Sequence, residues 1–173
     1  MLVVFVKGPT RRYRSVLHRP DGVQVLLDGG AYNRVGGPAA EVPHDIAHLV
    51  VEDELRLDRG VWGVLAAGGL FRGASILAGR QGPHAARRAN EIRRAADEQL
   101  TQAEMLVRGV CDLAAADAGA DLRLLRAGTG ERWWADTIAA APVERAIGRL
   151  RGAGETWARM HAEDRLELEW PGR

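Results

Sequence analysis

Tyr13-Arg14-Ser15-Val16-Leu17-His18-Arg19-Pro20-Asp21-Gly22-Val23-Gln24-Val25-Leu26-Leu27 decides the fold class. Tyr13, Ser15 and Leu17 alternate with Arg14 and Val16, and Val23, Val25 and Leu27 resume the same period. A two-residue repeat places every second side chain on one face of a pleated strand. Arg19-Pro20-Asp21-Gly22 joins the two runs as a turn, with Pro presetting φ and Gly free to take a positive one. Upstream, Leu2, Val4 and Val6 alternate with Val3, Phe5 and Lys7 before Gly8-Pro9. Residues 1–30 therefore predict a three-stranded β-meander. Leu166-Glu167-Leu168-Glu169-Trp170 alternates in the same way, so residues 165–170 are expected to form a strand that returns to the N-terminal sheet.

The middle of the chain changes period. Residues 29–40 are glycine-rich and read as a loop ending in Gly36-Gly37-Pro38. A helix is expected from about 42 to 57, because Pro43 suits a first helical turn and Asp58-Arg59-Gly60 ends the helical pattern. Val61 to Phe71 reads as a short helix of small residues. Ala85, Ala89, Ile92, Ala96, Gln99, Ala103, Leu106, Val110 and Leu113 keep a four-three spacing, which fits one long helix over 84–116 with a heptad seam. Such a seam suits either a homodimer or packing within the chain. Pro142 opens another helix through Ile147, Leu150 and Trp157. The expectation is an α+β fold in one domain, 1–173: a small antiparallel sheet, meander plus C-terminal strand, packed with about four helices in the 42–160 part.

Composition narrows the function classes. The chain has 173 residues, 46% hydrophobic and 27% charged, which is ordinary for a globular protein. A net charge of +1 argues against nucleic-acid binding through bulk charge. Arg87, Arg88, Arg93 and Arg94 are interleaved with Glu91, Asp97 and Glu98 and read as a solvated, self-paired face. The longest apolar run, Val61 to Phe71, is shorter than the ~20 residues of a membrane span. The apolar start, Met1 to Val6, has no basic leader and reads as a strand. One cysteine, Cys111, leaves no internal disulfide and suits a reducing compartment, so a cytoplasmic protein is expected.

Val42-Pro43-His44-Asp45-Ile46-Ala47-His48-Leu49-Val50-Val51-Glu52 carries the chemistry. At ~100° per residue His48 falls ~40°, Glu52 ~80° and Asp45 ~100° from His44 on the helical wheel. Leu55 and Val51 adjoin the same stripe, which puts the histidines at the edge of a buried face. Neutral imidazoles and a carboxylate bind Zn²⁺ or Fe²⁺ and leave positions open for a small-molecule substrate. His44, His48 and Glu52 are thus the expected metal ligands, with Asp45 as an auxiliary acid or base. A further ligand is expected from another helix, with His84, Glu91 and His161 as the candidates. The reaction class these ligands suggest is metal-assisted hydrolysis. The competing reading is a non-enzymatic interaction protein, with a structural histidine helix and dimerisation through 84–116.

His44-Asp45-x-x-His48 resembles the metal motif of the Coq4 family of ubiquinone-biosynthesis proteins. That resemblance implies a helical fold and a lyase or decarboxylase step. The glutamate found eleven residues later in that family is matched here by Gly60, which leaves Glu52 or Glu54 to substitute. Pro43 to Glu52, with Gly60-Val61-Trp62-Gly63 after it, also resembles uncharacterised actinobacterial proteins with a Pro-His-Asp-x-x-His-x-x-Val-Glu segment and a Gly-x-Trp-Gly run.

Overall fold

The computed structural model describes residues 1–130 and 132–171. The alternating segments pair as their periods dictate. Strands β1 (Leu2–Lys7), β2 (Tyr13–His18) and β3 (Gln24–Gly29) form the meander, with Val4 opposite Val16 and Val16 opposite Leu26. The C-terminal strand (Arg165–Glu169) returns antiparallel to β1 and places Val3 opposite Leu168. A strand without an alternating signal in the sequence, Ser75–Ala78, adds to the far side of β3.

Two further strands correct the expectation of a loop over 29–40. β4 (Tyr32–Gly36) and β5 (Ala40–Pro43) form a separate hairpin, whose turn is made by Gly36 and Gly37 at φ 67° and 65°. Each strand is too short, and too mixed with glycine, to show a period. Val35 and Val42 are fully buried and anchor the hairpin. With these two named, the C-terminal strand is β7 and Ser75–Ala78 is β6, and the large sheet runs β6-β3-β2-β1-β7.

The hairpin runs straight into α1 (His44–Glu54), a slightly shorter helix than the expected 42–57. Pro43 lies just before the helix and offers no side-chain cap; the His44 N–H bonds the Ala31 carbonyl at 3.0 Å instead. Ile46, Ala47, Leu49, Val50 and Val51 are all buried, so α1 is covered on several sides. α2 is Val61–Ala66, stopping before the expected Phe71. Trp62 on α2 is fully buried, meets Phe5 of the sheet edge-on at 5.9 Å, and donates its indole N–H to the Asp45 carbonyl.

The long helix expected over 84–116 divides into α3 (Ala85–Ala95) and α4 (Asp97–Ala115), broken at Ala96 with φ −107° and ψ 9°. Ala89 alone of α3 is buried, whereas Ala103, Leu106, Val110 and Leu113 of α4 all are. The seam on α4 is thus consumed within the chain, against α1 and α6 (Ala140–Arg159). α5 (Leu122–Gly128), capped by the Asp121 carboxylate, and a 3₁₀ turn at Trp133–Thr137 complete the fold. Lys7, the chain's single lysine, reaches from β1 to the last turn of α6 and donates to the carbonyls of Trp157 and Met160 at 2.7 and 2.8 Å. A cation on orphan C-terminal carbonyls is favourable for both partners. No helix among the described residues is long and apolar enough to cross a membrane.

Candidate metal centre

Three elements converge beside the N-terminal half of α1. His44 and His48 are one helical turn apart, as the spacing requires, with ring centroids 4.5 Å apart at 68°. The carboxylate that meets them is Glu104, from α4. Its Oε2 lies 3.9 Å from His44 Nε2 and 3.4 Å from His48 Nε2. One ligand atom from each of the three residues falls within 4.8 Å of the other two. Donors bound to one tetrahedral zinc at about 2.0–2.1 Å stand about 3.4 Å apart, so the group is close enough to hold an ion.

Each imidazole is oriented from behind. His48 Nδ1–H donates to Glu52 Oε1 at 2.8 Å, and His44 Nδ1–H donates to the Asn33 side-chain oxygen at 2.8 Å. Those bonds place the Nδ1 protons behind the site and turn both Nε2 atoms toward Glu104, the arrangement expected behind metal-ligating histidines. His48 Nε2 is fully buried and makes no hydrogen bond, despite the carboxylate oxygen 3.4 Å away. A buried polar nitrogen without a partner is uncommon and calls for an explanation. No family model matches the chain, and no curated protein or solved structure matches it either. The site is therefore read from its own geometry.

Glu52, expected as a ligand, lies behind the site. It is fully buried and both oxygens are occupied: Oε1 accepts from His48 and from the Val61 N–H at 2.8 Å, and Oε2 from the Trp62 N–H at 3.0 Å. One carboxylate thus caps the N-terminus of α2 and steadies His48. Gly60 packs against it so closely that a Cβ there would come within 2.4 Å of Glu52 Cδ. The position that bears a glutamate in the resembling family has no room here for a side chain.

Asp45, expected as an acid or base, turns to the sheet. Ser15 Oγ donates to its Oδ2 at 2.8 Å, and its N–H reaches the Tyr13 hydroxyl at 3.3 Å. The three candidates for a further ligand are also elsewhere: His84 is exposed before α3, Glu91 pairs with Arg87 at 3.6 Å, and exposed His161 lies beside Asp164. Glu104 has no sequence signal of its own, because it stands beside the seam rather than in it, among other exposed polar residues of α4.

The charge state is set by these neighbours. Burial alone would lower the His48 pKa, but the Glu104 and Glu52 carboxylates reverse that and hold it at about 9. The His44 and His48 imidazoles hold the Glu104 carboxyl well below the usual carboxylate range, against its partial burial. In the metal-free protein, then, the cluster favours an imidazolium between two carboxylates, and a divalent cation bound there would displace the proton.

Proposed function

We propose that His44, His48 and Glu104 hold one divalent metal, Zn²⁺ or Fe²⁺, and that the protein uses it on a small molecule in a metal-assisted hydrolase or lyase reaction. The observation that carries the reading is the convergence of His44 Nε2 and buried His48 Nε2 on Glu104 Oε2, at 3.9 and 3.4 Å, with both Nδ1 atoms engaged behind. Two histidines and one carboxylate are the ligand set of open zinc sites and of non-haem iron sites. Such an ion supplies Lewis acidity and open coordination positions. The chain's own part is positional. Glu52 and Asn33 take the Nδ1 protons and keep both Nε2 atoms aimed at the ion position, while α1 and α4 hold the donors at fixed separation.

A second reading is favoured by the raised His48 pKa: a structural ion-pair cluster in which imidazolium joins Glu52 to Glu104. Elemental analysis of tag-free protein separates the two. The metal reading expects one Zn or Fe per chain in wild type, lost in a His44→Ala/His48→Ala double variant and in Glu104→Gln. Glu104 is half-exposed, so Glu104→Gln removes a ligand without emptying the core. Wild-type protein that stays metal-free after incubation with Zn²⁺ or Fe²⁺, or a double variant with undiminished metal, overturns it.

A further inference from the structure

The group of His44, His48 and Glu104 is not sealed on all sides. His44 and Glu104 form one end of a groove of about 970 Å³ between the β4–β5 hairpin and α4. That size suits a small-molecule site. Tyr32 and Asn33 belong to the hairpin wall, and Met105 and Arg108 to the α4 wall. The hairpin closes on α4 at the other end, where a Cβ on Gly36 would meet the Ala114 carbonyl oxygen at 2.7 Å. His48 stays behind this opening, buried.

The charges along the groove have one bias. Arg108 is four residues beyond Glu104 on α4, hence one turn along the same face. Its Nε is 3.9 Å from Asp112, with both side chains more than three-quarters exposed, so that contact is loose and screened by water. Arg34, on the hairpin, lines the groove and has no ion pair among the described residues. A divalent ion held by two neutral imidazoles and one carboxylate keeps a net positive charge. Together with Arg34 and Arg108, and against Asp112 alone, it makes the groove electropositive.

We infer that this groove binds a small organic acid as its anion. One carboxylate occupies the open side of the metal position next to His44 and Glu104. The guanidinium of Arg108, whose planar fork matches a carboxylate, takes a second anionic or polar group one helical turn away. Tyr32 and Met105 provide apolar wall for the hydrocarbon between them. The inference rests on the metal reading above and adds to it the substrate class and Arg108 as the residue that selects it.

The test is calorimetric titration of zinc-loaded protein with succinate and with glutarate, after metal content has been measured for every sample. Wild type is expected to bind at least one of the two anions with unit stoichiometry. Arg108→Ala should keep its zinc and bind about ten-fold or more weakly, the cost of one hydrogen bond to a charged group. Arg108→Lys should recover part of that loss, and neutral succinamide should not bind. Full zinc occupancy with no binding of either anion, or with equal affinity in Arg108→Ala, overturns the anion inference and leaves the metal centre standing. Wild type that takes up no zinc overturns both.

Discussion

Replacing Glu52 with Gln isolates the group behind the site. The wild-type carboxylate accepts three hydrogen bonds, two through Oε1 and one through Oε2. A glutamine of nearly the same shape keeps one acceptor oxygen. With that oxygen in the Oε1 place, His48 Nδ1–H and the Val61 N–H remain satisfied, and the new amide NH₂ points at the Trp62 N–H. With the amide flipped, two donors are opposed instead. The first orientation is cheaper, but it leaves the Trp62 N–H and the new buried NH₂ both without an acceptor, and each unmet donor costs about 1–3 kcal/mol. For a chain of this size that is a fall in Tm of roughly 2–4 °C per kcal/mol. The metal reading adds a second consequence, because loss of the carboxylate behind a ligating histidine weakens metal binding typically 10–100-fold. Urea denaturation of the metal-free proteins reads the first effect, and competition with a chromophoric zinc chelator the second. If Glu52→Gln lowers stability but binds zinc as tightly as wild type, the negative charge behind His48 adds nothing to metal binding, and that part of the reasoning is refuted.

The pH dependence of the metal-free protein is governed by His48. Its folded pKa, about 9, lies above the unfolded value of 6.5. The stability it contributes is fully present below pH 6.5 and is lost as pH rises through 9. Thermal melts without metal should therefore weaken across that window, while the increment from added zinc should grow as the competing proton leaves. A metal-free Tm that stays flat or rises from pH 6.5 to 9, after subtraction of the His48→Gln profile, would count against the carboxylate-held imidazolium. Gly60→Ala tests the contact behind Glu52. Its Cβ would press within 2.5 Å of Glu52 Oε2, and overpacking of this kind costs about 1–3 kcal/mol. Unaltered urea midpoint and zinc affinity in Gly60→Ala would show that the contact relaxes freely.

The fold is legible in the sequence wherever a period runs long enough to be seen. β2, β3 and β7 alternate over five or six residues each, β1 is a continuous apolar run of the same length, and all four pair in one sheet. β4 and β5 are five and four residues long and joined through glycines, so no period separates them from a loop. The break between α3 and α4 is hidden for the opposite reason. The seam passes through Ala96 without a fault in spacing, and nothing in the local sequence marks the turn there. At the site, the pair on α1 is readable because two residues one turn apart meet by helix geometry alone. Glu104 and Asn33 are not, because their approach depends on how α4 and the hairpin pack on α1, a long-range arrangement that no local spacing encodes.

The same geometry explains why Glu52 reads as a ligand in the sequence and lies behind the site in the fold. A helix that presents His44, His48 and Glu52 at successive turns offers three donors in a row, and the wheel cannot say which of two neighbouring residues faces outward. Packing decides it. The N-terminus of α2 arrives against Glu52 with two free N–H groups, a demand for an acceptor that one buried carboxylate meets while also accepting from His48. With both oxygens spent in this way, the carboxylate that meets the histidines comes from the opposite side, where α4 passes and Glu104 is half-exposed. On the metal reading, a ligand drawn from another element completes the set, and a metal bound there would tie α1 to α4. Chelation of the metal should consequently loosen the α1–α4 contact as well as the site, an effect that amide hydrogen exchange in Glu104 to Val110 would report.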